Sequence, residues 1–141
     1  MNTSGGYSPK DLHFSEKAQN KLISGISKMA RAVKSTLGPM GNTVLIESPN
    51  HTHGITVTKD GVTVAKSIQL LDPVENLAVQ MLREAASKTA ANAGDGTTTA
   101  IVLTEAIVTK GMELIKEQDN KTQVLRDMVS LTNDVVDNLK K

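Results

Sequence analysis

Only two aromatic side chains, Tyr7 and Phe14, occur in the 141 residues, and both lie near the N-terminus. A chain of this length buries roughly two-thirds of the surface that its unfolded form exposes, so it needs a substantial core. That core has to be assembled from Ala, Val, Leu, Ile and Met, which suits helices packed closely on small residues. The length corresponds to one ordinary domain.

Composition excludes several function classes. Lys plus Arg number 16 and Asp plus Glu 15, a net charge of +1. No bulk attraction to nucleic acid follows, and no aromatic platforms exist for stacking bases. Cysteine is absent, which removes disulfides, thiolate metal sites and a cysteine nucleophile and is compatible with a reducing compartment. No apolar run approaches the roughly 18 residues of a membrane span. Met1 to Asp11 has neither an apolar signal core nor Arg and reads as a flexible polar arm.

Periodicity predicts a mainly helical chain. Leu22, Ile26, Met29, Ala30, Val33 and Leu37 recur at steps of three and four, a helix from about Ser15 to Leu37 that Gly38-Pro39 stops. Ser15-Glu16 reads as its start. Val44 and Ile46, then Ile55 and Val57, alternate with polar residues, and the Ser48–Gly54 loop makes them a β-hairpin. Asp60-Gly61 is open to two readings: a hairpin turn before a third strand at Val62–Ala65, or an N-cap before a short helix at Gly61–Ile68. Asp72, Pro73 and Glu75 open a helix to about Ala93 with N-cap, first-turn Pro and capping-box spacing. Its predicted apolar stripe is Val74, Leu77, Ala78, Met81, Leu82 and Ala85, with Asn76, Gln80, Arg83 and Lys88 facing away. A helix from Thr97 to about Glu117 is apolar nearly all round its first turns, at Ala100, Ile101, Val102, Leu103, Ala106 and Ile107, which predicts burial on most sides. A last helix covers about Thr122 to Lys140, with Val124, Leu125, Met128, Leu131, Val135 and Leu139 in phase.

The chemistry concentrates in turns. In Ala93-Gly-Asp-Gly-Thr-Thr-Thr-Ala100, two glycines let backbone N–H groups approach an anion at a helix N-terminus, and three hydroxyls add donors. Asp95 would repel a bare phosphate, so it makes sense with a cation between them, and a carboxylate plus phosphate oxygens suits Mg²⁺. A plain capping loop is the competing reading. The phosphate-loop patterns G-x-x-x-x-G-K-S/T and G-x-G-x-x-G are both absent. Thr36-Leu37-Gly38-Pro39 offers carbonyls and a hydroxyl to a ribose or a monovalent cation. Thr58-Lys59-Asp60-Gly61 offers a cation, a carboxylate and a tight turn, and Asp60 could orient a water for attack on a terminal phosphate. Element ends are the usual location of binding residues. His51 and His53 lack a third ligand and read as an exposed loop.

In this order and at these separations, Thr36-Leu-Gly-Pro-Met-Gly41, Thr58-Lys-Asp-Gly-Val62 and Ala93-Gly-Asp-Gly-Thr-Thr-Thr-Ala100 closely resemble the group I chaperonins, the GroEL family. The resemblance runs from about Phe14 to the end. It implies a multihelical equatorial-type fold with a small hairpin, in which residues 1–13 are an arm and 14–141 the N-terminal half of an ATP-binding equatorial domain. It implies ATP, Mg²⁺ and K⁺ as ligands. Thr36, Leu37, Gly38 and Pro39 would line the nucleotide. Lys59, Asp60 and Gly61 would lie at the phosphates, with Asp60 in hydrolysis. Asp95 would hold Mg²⁺, and Gly96, Thr97, Thr98 and Thr99 would cradle phosphates. It also favours the helix at Gly61–Ile68, and it makes the hairpin a stem-loop reaching a neighbouring subunit.

The implied partners are further copies of the subunit in a ring of one or two layers, unfolded clients held by domains beyond these residues, and a co-chaperonin. The implied location is the cytoplasm of a bacterial or phage-infected cell. Met40 departs from the family's usual Lys. Family members are several times longer, and the intermediate-domain catalytic Asp and the client-binding surface have no counterpart here. The alternatives are a stand-alone equatorial fragment that joins chaperonin subunits without hydrolysing ATP, and an unrelated anion-binding helical domain.

Overall fold

The computed structural model describes residues 12, 14–47, 54–117 and 120–141. In chain order the elements are α1 (Ser15–Lys34), β1 (Val44–Glu47), β2 (Ile55–Thr58), α2 (Gly61–Ser67), α3 (Pro73–Ala93), α4 (Thr97–Glu117) and α5 (Lys121–Leu139). The mainly helical expectation holds. The proposed N-terminal arm, apart from Leu12, and the His51–His53 loop lie outside the described residues.

Helices α1, α3 and α4 pack on one another, and α2 packs against all three and against β1. The core is aliphatic: Met29, Ala30 and Val33 from α1, Val64 and Ala65 from α2, Val79, Leu82 and Ala86 from α3, and Ile101 from α4. Phe14 contributes nothing to it, being 73 % exposed. Close packing on small residues shows at Gly25 of α1, where an added Cβ would stand 2.3 Å from the Glu75 carbonyl oxygen.

The two strands pair antiparallel, with Val44 opposite Thr58, Leu45 opposite Val57, Ile46 opposite Thr56 and Glu47 opposite Ile55. The segment after them is a helix and not a third strand. The Asp60 side chain accepts from the Val62 and Thr63 N–H groups and so caps α2.

Several element-level expectations are corrected. Helix α1 ends at Lys34, not Leu37. The Ser35 and Thr36 hydroxyls donate to the Ala32 and Val33 carbonyls, and such back-bonding competes with the helical ladder. The chain then tightens, with Thr36 N–H donating to Val33 O and Leu37 N–H to Lys34 O. Phe14 takes the N-cap position of α1 and no side chain caps it. Asp72 caps α3 through the Val74 and Glu75 N–H groups with Pro73 at the first turn, as the sequence predicts. Glu75, however, does not close a capping box: its carboxylate accepts from Ser24 Oγ and Lys28 Nζ of α1.

The buried stripe of α3 is Ala78, Val79, Leu82 and Ala86, rotated from the predicted one, and Leu77 and Met81 are exposed. Asn76 and Arg83 do not face away. Asn76 Oδ1 accepts from Leu70 N–H, and an Arg83 guanidinium N–H donates to the Ile68 carbonyl. Helix α4 is not buried on most sides either, since Leu103, Ile107 and Leu114 are exposed. Helix α5 has no buried residue among those described. No described helix is long and apolar enough to cross a membrane.

Candidate functional site

Three turns meet where α1 ends, α2 begins and α4 begins. A Cβ added to Gly61 would stand 2.0 Å from Thr98 Oγ1 and 3.3 Å from Thr36 Oγ1. Gly61 of the second motif therefore lies against Thr98 of the third and Thr36 of the first. Only glycine tolerates that approach at position 61, because any side chain would displace the Thr98 hydroxyl.

The Gly94-Asp95-Gly96 link is a tight left-handed corner. Gly94 closes α3 at φ 76° with its N–H on the Ala90 carbonyl. Gly96 follows at φ 85°, a conformation that L side chains rarely adopt. Asp95 Oδ1 accepts from Gly96 N–H at 2.6 Å and the residue is exposed. The first helical bond of α4 runs from Ala100 N–H to Gly96 O. The amides of Thr97, Thr98 and Thr99 thus precede the helical ladder and point out of the positive end of a 21-residue helix. The donor set is one open carboxylate beside unpaired amides, which fits a magnesium–phosphate pair better than a fully protein-ligated ion. Among the described residues no cluster of three or more metal-ligating side chains forms.

The three threonines are not equivalent. Thr99 is exposed, Thr98 half-buried beside Gly61, and Thr97 only 3 % exposed. Thr97 Oγ1 is buried without a hydrogen-bond partner, and the residue lines a small cavity against α2 and α3. Its backbone amide, not its hydroxyl, is what remains for a ligand.

Asp60 holds the opposite turn. Oδ1 accepts from Val62 N–H, and Oδ2 accepts from Thr63 N–H and from the Thr63 hydroxyl at 2.6 Å. The Thr63 hydroxyl, aided by these amides, lowers its carboxyl pKa from the ordinary value. Lys59 is exposed next to it. Thr63 was not singled out by sequence reasoning; its place three residues after an Asp N-cap, where its hydroxyl can donate back to the capping carboxylate, is the signal that could have revealed it. On the third turn, Leu37, Gly38 and Pro39 are exposed, and Gly38 sits at φ 85°. Met40 is 93 % exposed. Arg83, absent from the predicted site, lines the same cavity as Thr97.

An all-aliphatic multihelical domain with a hairpin, carrying three glycine-rich turns at one end, defines a class of protein with the equatorial-type chaperonin fold. The TCP-1/cpn60 chaperonin family profile matches residues 29–141, and the chain belongs to that family. Among solved structures it is similar to the chaperonin gp146 from the bacteriophage EL 2 (Pseudomonas aeruginosa), crystallised in the presence of ATP-BeFx. Crystal form II matches at 36 % identity and TM-score 0.75 over 88 % of this chain and 21 % of that one. Form I matches at 41 % identity and TM-score 0.60 over 66 % of this chain and 16 % of that one. The chain thus spans about a fifth of the length of the chaperonin that it matches.

Proposed function

We propose that these residues are the N-terminal half of the equatorial domain of an ATP-hydrolysing chaperonin subunit, and that the three converging turns hold its nucleotide. The observation that carries this reading is the contact of Gly61 with Thr98 and Thr36 beneath the unpaired amides of α4. It is supported by the family membership and by the ATP-BeFx in which the similar phage chaperonin was crystallised.

In this reading the N–H groups of Thr97, Thr98 and Thr99 and the hydroxyls of Thr98 and Thr99 receive the phosphates, and Gly96 shapes the turn that presents them. Lys59 adds a positive charge beside them, and Thr36 to Pro39 line the nucleotide, with carbonyls suited to K⁺. Asp95 holds Mg²⁺, which when bound with ATP neutralises phosphate charge. Asp60 orients the attacking water, and its carboxylate is kept ionised by the Thr63 hydroxyl and the α2 amides. The hairpin makes ring contacts. Clients and any co-chaperonin engage parts of the subunit outside these residues, and the assembly works in the cytoplasm.

The test is ATP hydrolysis and binding by the complete subunit. Asp95→Ala should abolish magnesium-dependent binding. Asp60→Asn keeps a capping acceptor and should slow hydrolysis by about 10²-fold or more while ATP binding persists. Equal loss of binding and hydrolysis in Asp60→Asn would make Asp60 a binding residue instead. Separately, the 141 residues alone should not hydrolyse ATP; magnesium-dependent turnover by them, lost in Asp95→Ala, would overturn the half-site reading.

A further inference from the structure

The two oxygens of the Asp60 carboxylate are not equally engaged. A carboxylate offers about four lone-pair sites, shared evenly between its oxygens. Among the described residues, Oδ2 receives the Thr63 N–H at 2.9 Å and the Thr63 hydroxyl at 2.6 Å, whereas Oδ1 receives only the Val62 N–H at 3.1 Å. One acceptor place therefore stays open, and it is on Oδ1. Asp60 is exposed, so a water can reach that place. The amides alone would not make this distinction. Each serves one oxygen, and without the hydroxyl both oxygens would keep one open place. The Thr63 hydroxyl breaks that symmetry with a short bond to a charged acceptor, the stronger kind of hydrogen bond. The same bond is the foremost cause that lowers the Asp60 carboxyl below its ordinary value.

We propose that Thr63 is a positioning residue for ATP hydrolysis: by filling Oδ2, its hydroxyl leaves Oδ1 of Asp60 as the single oxygen that holds the attacking water. The role rests on the nucleotide reading above, in which Asp60 orients that water. Gly61, the next residue, lies against Thr98 at the start of α4, so the open oxygen and the α4 amides belong to one end of the molecule. A water on one fixed oxygen keeps one line of approach to a terminal phosphate. A water shared between two oxygens has several, and a misplacement of about 1 Å is enough to slow a reaction strongly. Acting only through Asp60, Thr63 affects the chemical step and not nucleotide affinity.

The kcat for ATP hydrolysis and the Kd for ATP, both measured on the complete subunit, test this. Thr63→Val keeps the branched shape and the backbone N–H and loses the hydroxyl. It should lower kcat by about five- to twenty-fold and leave Kd within about two-fold of the parent. Thr63→Ala lacks the same hydroxyl and should give the same values, which decides the case if Thr63→Val fails to fold. Thr63→Ser, which returns the hydroxyl, should restore kcat to within about two-fold. Combined with Asp60→Asn, Thr63→Val should slow hydrolysis no further than Asp60→Asn alone, because its effect passes through that carboxylate. A parental kcat without the hydroxyl, a loss that Thr63→Ser does not restore, an equal weakening of Kd, or additive losses in the double variant would each overturn the role. Slow Asp60→Asn beside a parental Thr63→Val refutes Thr63 alone. Asp60→Asn hydrolysing at the parental rate refutes the role given to Asp60, and that of Thr63 with it.

Discussion

Among the described glycines, the closest approach is to the Gly61 hydrogen. At Gly61 an added Cβ would lie 2.0 Å from Thr98 Oγ1, so Gly61→Ala must displace the Thr98 hydroxyl, by rotating that side chain or by shifting α2 against the start of α4. Overpacking of this kind costs typically about 1–3 kcal/mol. We expect Gly61→Ala to lower the urea midpoint and to weaken ATP binding. Adding Thr98→Ala should recover the midpoint but not the affinity, because the space returns and the hydroxyl does not. Recovery of both would mean that Thr98 acts only as packing. At this scale the sequence was legible in part. The spacing of glycines and threonines located all three turns, because glycine at a positive φ and Asp at an N-cap have local causes. It could not separate Thr97 from Thr98 and Thr99. Which hydroxyl is buried depends on how α4 is rotated against α2 and α3, and three identical residues carry no signal of that.

At the scale of elements, the N-terminus of α3 is pinned to α1 by paired charges. Lys21 bonds the Asp72 carboxylate while that carboxylate caps α3, and Lys28 and Ser24 bond Glu75. The Lys21 bond, helped by the Glu75 and Val74 amides, holds the Asp72 carboxyl down at about 2 against an ordinary 3.8. Lys28 and then Ser24 likewise lower Glu75. A carboxyl lowered in the folded state stabilises the fold above its ordinary value, and the gain is lost as pH falls toward the folded one. Stability should therefore fall between pH 3.8 and about 2. Asp72→Asn keeps the cap and loses the ion pair, so it should flatten that fall in urea midpoints taken across the interval. An unchanged pH dependence would show that the pair contributes nothing. Here periodicity read α1, α3, α4 and α5 as helices, left α2 open against a third strand, and had the facing of α3 and α4 wrong. An apolar stripe shows that a surface is covered, not by which piece of chain. Leu77 and Met81 on α3 and Leu103 and Ile107 on α4 are apolar yet about half exposed, since the described residues cover them only in part.

At the scale of the whole molecule those exposed residues join a larger pattern. An apolar groove of about 350 Å³ opens between α1, α3 and α4, lined by Leu22, Ile26, Met81, Ala85, Val108 and Met112 among others. Leu125, Val129, Leu131 and Val135 of α5 are also exposed. In the half-domain reading, later chain of the same subunit covers these faces. Presented alone, the 141 residues carry a net charge of only +1, which offers little repulsion between copies. We expect them to bind hydrophobic dyes and to self-associate in sedimentation velocity at concentrations where the complete subunit does not. A dye-silent monomer would mean that the faces need no cover.

The central claim is that three turns, distant in sequence, form one phosphate site. Backbone amide shifts of the labelled protein, titrated with Mg-ATP, test it most directly. The account predicts changes concentrated at Gly38, Gly61, Gly96, Thr97 and Thr98, dependent on magnesium and lost in Asp95→Ala. Shifts confined to other surfaces, or none at millimolar ATP, would contradict it.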